Sequence, residues 1–413
     1  MGFFKAVAAD LDGTLTSGGA VPAEVRSAFS SLRSDNVRSL LVTGRTRAAL
    51  DREFPGLSST FDAVIAENGA VIASRNGSRL LASPVEPALV QALSGRGIQV
   101  DVGEALLACD GAAAAAVTEE IGRLGLDTQV VHNRAALMIL PAGVSKGTGL
   151  RAGLAELGLS PHNTLAVGDA ENDLALLDVA EIGVAVSNAV PSLKAHADMV
   201  LQEPGRMGIV GLLTGPLLTG NEPFCPARRW VRIGAFDDES PALVTGSQAN
   251  ILVAGPSGYG KSYVAGLLAE AWILADYRVL VIDPEGDHSG LAQLRETRLV
   301  GADGPLPAPV ALVNDLLISS VVVDLSQLTL NEKTRYARQV LEAADLARTD
   351  RGIPHWIVID EAHLLVPDPN FVGQLQRLAG RGEVLVTYLS EALPEQVGAL
   401  VDITISVTED TVS

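Results

Sequence analysis

The chain has 413 residues, 47% of them hydrophobic, and a formal net charge of −19. That length exceeds one ordinary domain, and the apolar content argues against disorder. The negative charge disfavours whole-surface binding to DNA or anionic membrane, though not a local basic groove. No apolar run reaches membrane-spanning length without a charge or turn residue, and the N-terminus lacks a basic n-region. The expectation is a cytoplasmic protein without membrane contact. Cys109 and Cys225 have no metal-type spacing, so no disulfide framework is expected.

The first apolar run, Ala6 to Ala9, reads as a buried strand and leads into Asp10-Leu11-Asp12-Gly13-Thr14. Residues two apart on a strand point the same way, so Asp10 and Asp12 can converge. Converging carboxylates repel unless a cation or a shared proton relieves them, and Mg²⁺ between oxygen ligands is the usual relief. Pro22 to Asp35 reads as a helix with Val25, Phe29 and Leu32 on one face. The strand Ser39 to Val42 ends in Thr43-Gly44-Arg45, where a hydroxyl can donate to a phosphate oxygen and Arg45 can add a charge-assisted contact. Ala63 to Ala66 is a third strand, followed by Glu67-Asn68-Gly69-Ala70.

Residues from about 71 to 141 alternate strand-like runs (Arg79 to Ala82, Ile98 to Val102, Ala135 to Leu140) with helical patterns (Glu86 to Gly95, Ala112 to Leu124). This predicts a small α+β insertion, or cap, within an α/β domain. The α/β pattern resumes with a helix opened by Lys146-Gly147. The strand Thr164 to Val167 follows, ending in Gly168-Asp169-Ala170-Glu171-Asn172-Asp173. Carboxylates again gather past a strand's C-terminal end, where open α/β sheets place their ligands.

These motifs, in this order, resemble the haloacid dehalogenase superfamily of Mg²⁺-dependent phosphohydrolases. Glu67 to Ala70 and the insertion site look like its IIB (Cof-type) subfamily. The resemblance implies a Rossmann-like parallel sheet with a core over residues 1–70 and 142–213 and a cap over about 71–141. It implies that Asp10 is the nucleophile that forms an aspartyl-phosphate, and that Asp12 protonates the leaving alkoxide and later activates water. Thr43 and Lys146 would hold and neutralise the transferring phosphoryl group. Asp169, Asp10 and the Asp12 backbone carbonyl would bind Mg²⁺, with Asp173 completing or supporting that shell and Asn172 orienting it. Gly44, Arg45 and Asn172 are candidate substrate contacts, as are His132 and Arg134 in the cap. So short a cap suits a small phosphorylated metabolite, on the scale of phosphoglycolate or a small sugar phosphate.

Gly205 to Pro226 is rich in Gly, Pro, Leu and Thr. It reads as the end of a first domain (1–213) and a linker (214–226) before a second α/β domain (227–413). There the strand Ile251 to Ala254 leads into Gly255-Pro256-Ser257-Gly258-Tyr259-Gly260-Lys261-Ser262 and a helical run. Strand, glycine loop and helix are the context of a phosphate-binding P-loop. Backbone N–H groups at Gly255, Gly258 and Gly260 can cradle ATP phosphates, with Lys261 on the β- and γ-phosphates and Ser262 on Mg²⁺. The strand Arg278 to Ile282 ends in Asp283-Pro284-Glu285-Gly286-Asp287-His288. The strand His355 to Ile359 ends in Asp360-Glu361-Ala362-His363, where Asp360 would support Mg²⁺ through water and Glu361 polarise the attacking water.

This half resembles the HerA/FtsK-type ATPases, a branch of the additional-strand P-loop NTPases that act as hexameric rings. A homo-oligomer is therefore an expectation, with Arg377 and Arg381 as candidates for the arginine given to a neighbour, and nucleic acid a weakly implied partner. Thr387 is followed by Tyr388, where that family often has a polar residue, and the helix expected over Asn370 to Arg381 is short. Three readings result: a metabolite phosphatase fused to an ATPase; a nucleotide-gated regulatory or DNA-associated module with the first half accessory; or a nucleic-acid end-processing phosphatase and kinase.

Overall fold

The computed structural model describes residues 2–16, 19–74, 77–133, 136–220, 222–302, 304–364, 373, 382–388 and 395–408. Arg134, Arg377, Arg381 and, apart from Gly373, the helix expected over Asn370 to Arg381 lie outside the described residues. The chain divides into two compact units, Met1–Glu222 and Pro223–Ser413. No helix among the described residues is long and apolar enough to cross a membrane.

The first unit opens, among the described residues, with five strands, of which Ala6–Ala9 and Ala63–Ala66 are uncharged, fully buried runs of the kind found in a sheet covered on both faces. They are β1 (Ala6–Ala9), β2 (Arg38–Val42), β3 (Ala63–Ala66), β4 (Val71–Ser74) and β5 (Gly77–Leu80). The cap follows with β6 (Asp101–Val102), β7 (Leu107–Asp110), β8 (Thr128–Asn133) and β9 (Ala136–Pro141). The chain then returns to the core with β10 (Thr164–Gly168), β11 (Ile182–Ala185) and β12 (Met199–Val200). The core sheet has eight strands in the order β12-β11-β10-β1-β2-β3-β4-β5. Pairs from β12 to β3 are parallel, whereas β3–β4 and β4–β5 are antiparallel.

The sheet is therefore mixed, and its last hairpin corrects the expected cap boundary near residue 71. Val71 and Ile72 are buried against β3 and the core, and an antiparallel return needs only a tight turn, not a crossover. The cap proper is the sheet β6-β7-β9-β8 with the helices Pro87–Gly95 and Ala114–Leu124. Its strands alternate. Leu107, Leu137 and Ile139 pack with Leu89, Leu93 and Val117, while Met138 and Leu140 pack with Ala66, Ala70 and Val71 of the core. The stretch expected as linker opens with a helical turn, Pro216–Thr219, whose Leu217 and Leu218 are buried, and the first unit runs on to Glu222. Two adjacent leucines close to a proline helix start outweigh the Gly/Pro loop signal.

The second unit opens with the antiparallel hairpin β13 (Val231–Ala235) and β14 (Pro241–Val244). Its main strands are β15 (Ile251–Ala254), β16 (Val279–Asp283), β17 (Thr297–Val300), β18 (Ser320–Asp324), β19 (Trp356–Ile359), β20 (Glu383–Thr387) and β21 (Ile403–Ser406). Their order is β17-β18-β16-β19-β20-β15-β21, and each adjacent pair is parallel. Strand β20 lies between the P-loop strand β15 and β19, so Asp360 stands across one strand from the glycine loop.

Candidate active sites

In the first unit β1 lies between β2 and β10, with Ala9 opposite both Leu41 and Val167. Their C-terminal ends therefore bring Asp10, Thr43 and Asp169 to one place. The helix Lys146–Leu157 adds Lys146 at its first position, held there by a Ser145–Thr148 capping box. Lys146 Nζ donates to Asp10 Oδ1 and to Asp173 Oδ1, each at 2.6 Å. The other Asp173 oxygen accepts the N–H groups of Asp169 (2.9 Å) and Ala170 (3.0 Å). Both Asp173 oxygens are thus engaged in shaping the loop and steering the lysine. Asp10, Asp169 and Asp173 offer carboxylate oxygens within 4.8 Å of one another, and all three residues are buried.

Two of these buried carboxylates, Asp10 and Asp173, share one ammonium, and Asp169 stands beside them. Burial pushes the Asp10 carboxyl well above the ordinary range, against the pull of Lys146, and the charges of Asp173 and Asp169 add to the rise. Burial alone would lower Lys146, but Asp10 and Asp173 outweigh it and hold the ammonium above the usual lysine value. The net negative charge and the oxygen-only donor set suit a hard divalent cation such as the Mg²⁺ that this family implies.

Asp12 points differently. Its carboxylate takes two hydrogen bonds from Arg45, Nε to Oδ2 at 2.7 Å and Nη2 to Oδ1 at 2.8 Å. Arg45 also donates to Glu53 and lies over the Phe54 ring. The sequence reading had Arg45 as a substrate contact and missed this clamp; residues 33 apart in the chain carry no shared local signal. Thr43 is buried, and its hydroxyl accepts the Arg45 N–H at 3.2 Å; Gly44 lies between them, half-buried. Asn172 donates to Asn68 Oδ1 at 3.2 Å, while its own Oδ1 is buried without a partner. His132 is exposed on β8.

In the second unit Gly258 and Gly260 take positive φ values, 85° and 93°, which bend the loop into the helix Lys261–Leu274. Gly255 is pressed against the Val407 carbonyl oxygen. Lys261 Nζ curls back to the Pro256 carbonyl at 3.1 Å. The Ser262 hydroxyl helps to hold the Asp360 carboxyl below its usual value. His288 Nε2 sits 2.9 Å from Asp360 Oδ2, and Asp283 accepts the N–H groups of Gly286, Asp287 and His288. A cavity of about 590 Å³ opens here, lined among others by Ser257, Lys261, Ser262, Asp287, His288 and Glu361. The His288–Asp360 pair joins two strand-end motifs 72 residues apart and was not foreseen.

Burial would raise Asp360, but the His288 hydrogen bond and charge hold it below the usual value. Burial would lower His288, yet Asp360 and Asp283 hold it above. Burial pushes Glu361 up, opposed by His363, whose Nδ1 is 3.2 Å from its carboxylate. His288→Ala would leave the buried Asp360 carboxylate without its imidazole partner, a loss of up to about 3–5 kcal/mol, tempered by the Glu361 N–H that Asp360 Oδ1 still accepts. The pair's contribution is present below the ordinary histidine value and is lost as pH rises through the raised folded-state value. It is lost again at low pH, as Asp360 protonates below the ordinary carboxylate value. Thermal unfolding of wild type and variant across pH measures this, and curves that stay parallel at every pH would contradict it.

Carboxylates gathered around one ammonium at the mouth of a capped, largely parallel sheet make the first unit a phosphohydrolase in kind. The chain belongs to the haloacid dehalogenase-like hydrolase family, whose model matches residues 7–112 and 115–213. Residues 233–351 match the model of the central domain of helicase HerA. Phosphoglycolate phosphatase 2 of Saccharolobus solfataricus is 33% identical over 223 residues, covering 52% of this chain and 93% of that protein. A phosphoglycolate phosphatase of Archaeoglobus fulgidus is 30% identical over 217 residues, covering 51% of this chain and 95% of that protein. Among solved structures, a haloacid dehalogenase-like hydrolase from Bacteroides thetaiotaomicron is 20% identical, with a TM-score of 0.45 over 51% of this chain and 98% of that one. The first unit is thus a phosphoric monoester hydrolase of this family, joined to a HerA-type domain.

Proposed function

We propose that the first unit hydrolyses a small phosphomonoester of the phosphoglycolate type through an aspartyl-phosphate on Asp10, and that the second unit binds and hydrolyses ATP. The observation that carries the first part is the Lys146 bridge between Asp10 and Asp173 at the strand ends. Asp10 attacks phosphorus while Thr43 and Lys146 take up charge on the phosphoryl oxygens. Asp12 gives a proton to the leaving oxygen and later takes one from water, so Arg45 must release an Asp12 oxygen before that oxygen carries the proton. Mg²⁺ held by Asp10, Asp169 and the Asp12 carbonyl, with Asp173 behind them, would offset the phosphoryl charge. The working domains are taken as the two compact units, Met1–Glu222 and Pro223–Ser413, in a cytoplasmic protein.

The P-loop, Asp360 and Glu361 support the ATP part, with Lys261 and Ser262 facing the cavity. One observation favours a second reading, a nucleotide-gated module with little turnover. Tyr388 packs its ring against His363 at 4.5 Å, and His363 Nδ1 stands 3.2 Å from the Glu361 carboxylate that would polarise water. Phosphate release from a panel of small phosphoesters and ATP, with Mg²⁺ and then with a chelator, tests both. Mg²⁺-dependent release from a two- or three-carbon phosphoester is expected. Release from ATP alone would remove the phosphatase reading, and ATP binding without release would favour the gated module.

A further inference from the structure

Among the described residues of the first unit, the turn after β3 stands out for its backbone. Glu67, Asn68 and Gly69 have consecutive positive φ values of 53°, 55° and 107°. A buried glutamate in the left-handed region is uncommon, and such backbone persists only where its surroundings hold it. The Glu67 N–H donates to the Arg45 carbonyl at 2.9 Å, and the Asn68 N–H to the Thr43 carbonyl at 3.0 Å. Asn68 Oδ1 takes the Asn172 amide, and Gly69 is pressed against the Ser145 carbonyl just before Lys146. The backbone of this turn, with the Asn68 side chain, therefore braces three of the catalytic segments at once.

Its one long side chain goes elsewhere. The Glu67 carboxylate is fully buried and reaches out of the core into the cap. Oε1 accepts the Glu104 N–H at 2.7 Å, and Oε2 accepts those of Ala105 at 2.8 Å and Leu106 at 3.0 Å. These amides belong to the turn between β6 and β7. Gly103 in the same turn leaves the room: a Cβ there would lie 2.6 Å from both carboxylate oxygens. Ala105 and Leu106 then pack with Ala66, Ala70 and Val71 of the core. Three amides closing on one carboxylate are a directional contact, whereas the apolar cluster beside it can slide.

We propose that Glu67 is a positioning residue that latches the cap over the phosphoryl site. It thereby sets the size of leaving group the enzyme accepts. The proposal rests on the phosphatase reading for its kinetic consequence but not for the latch itself. Because the same turn carries the Thr43, Arg45 and Asn172 contacts, a cap lifted from Glu67 would leave the chemical groups braced while opening the space above them. Loss of the latch should therefore weaken selection among substrates more than it slows the chemical step.

The test uses the full chain as wild type, Glu67→Gln and Glu67→Ala. Amide hydrogen exchange is followed at residues 104–106, and kcat and KM are measured for 2-phosphoglycolate and for the bulkier p-nitrophenyl phosphate. Exchange at these amides should quicken at least tenfold in Glu67→Ala. KM for 2-phosphoglycolate should rise about tenfold with kcat changed less than threefold, and the preference over p-nitrophenyl phosphate should shrink accordingly. Glu67→Gln, which keeps one acceptor oxygen, should fall between. Unchanged exchange overturns the latch, whatever the enzyme hydrolyses. A uniform fall in kcat for both esters with unchanged KM assigns Glu67 a merely structural role and also overturns it. Lack of turnover of either ester by the wild type counts against the substrate reading, and the exchange result still decides the latch.

Discussion

Asp10→Asn is expected to lower phosphomonoester hydrolysis by more than about 10⁴-fold, roughly 5 kcal/mol of transition-state stabilisation, while ATP hydrolysis is unchanged. An amide nitrogen or oxygen cannot form the acyl-phosphate that the Asp10 carboxylate can. The replacement is nearly isosteric, its oxygen can still accept from Lys146, and Asp173 remains as the second partner, so the fold should persist. Stability should move the other way. Burial and the neighbouring Asp173 and Asp169 hold the Asp10 carboxyl above its unfolded-state value. A group so raised binds more protons when folded, so its stabilising contribution is present at low pH and is lost as pH rises through the folded value. Removing the charge should therefore stabilise the metal-free first unit at neutral pH, by about 1 kcal/mol or about 2–4 °C for a domain of this size. Calorimetry with a chelator, beside phosphate release with Mg²⁺, reads both. Equal activity in variant and wild type would take Asp10 out of the reaction. A lower midpoint for the variant would mean that the carboxylate cluster stabilises the metal-free fold.

The pairing of gained stability with lost activity follows from what the sequence makes visible. Buried parallel strands are short apolar runs, and the residue after each run stands at the ligand-binding edge. Asp10, Thr43, Asp169 and Asp360 could be located that way because the strand before each has almost no other pattern to offer. The glycines and Lys261 of the P-loop were legible because loop and helix N-terminus lie in one continuous stretch. What stayed hidden was long-range pairing. The Arg45 clamp on Asp12, the His288–Asp360 contact and the Glu67 hold on the cap turn each join segments that only the folded sheet brings together. Val71 to Leu80 was read as cap because its outer strand, Gly77–Leu80, is exposed and polar, and such an edge strand looks like any surface hairpin. Strands β17 and β18 went unread, although β18 is fully buried, and so did the long helix Leu330–Arg351.

Lys261→Ala should reduce ATP hydrolysis by about 10²–10³-fold and leave phosphomonoester hydrolysis untouched. Lys261 is buried, and its ammonium already lies across the loop on the Pro256 carbonyl, so little reorganisation separates it from a phosphate. Its loss removes the charge that follows the transferring phosphoryl group. The loop N–H groups and helix N-terminus remain and should retain weak nucleotide binding. Equilibrium dialysis with Mg²⁺ and ATP, run beside phosphate release, separates these contributions. If wild type binds ATP without releasing phosphate and the variant loses that binding, the second unit acts as a nucleotide-gated element. The Glu361–His363–Tyr388 contact would then be what restrains turnover, and Tyr388→Gln should raise phosphate release. If wild type releases phosphate and Tyr388→Gln leaves the rate unchanged, Glu361 works despite that contact. If Lys261→Ala abolishes phosphomonoester hydrolysis as well, the two units depend on one another. The first unit's substrate preference would then have to be measured with nucleotide bound.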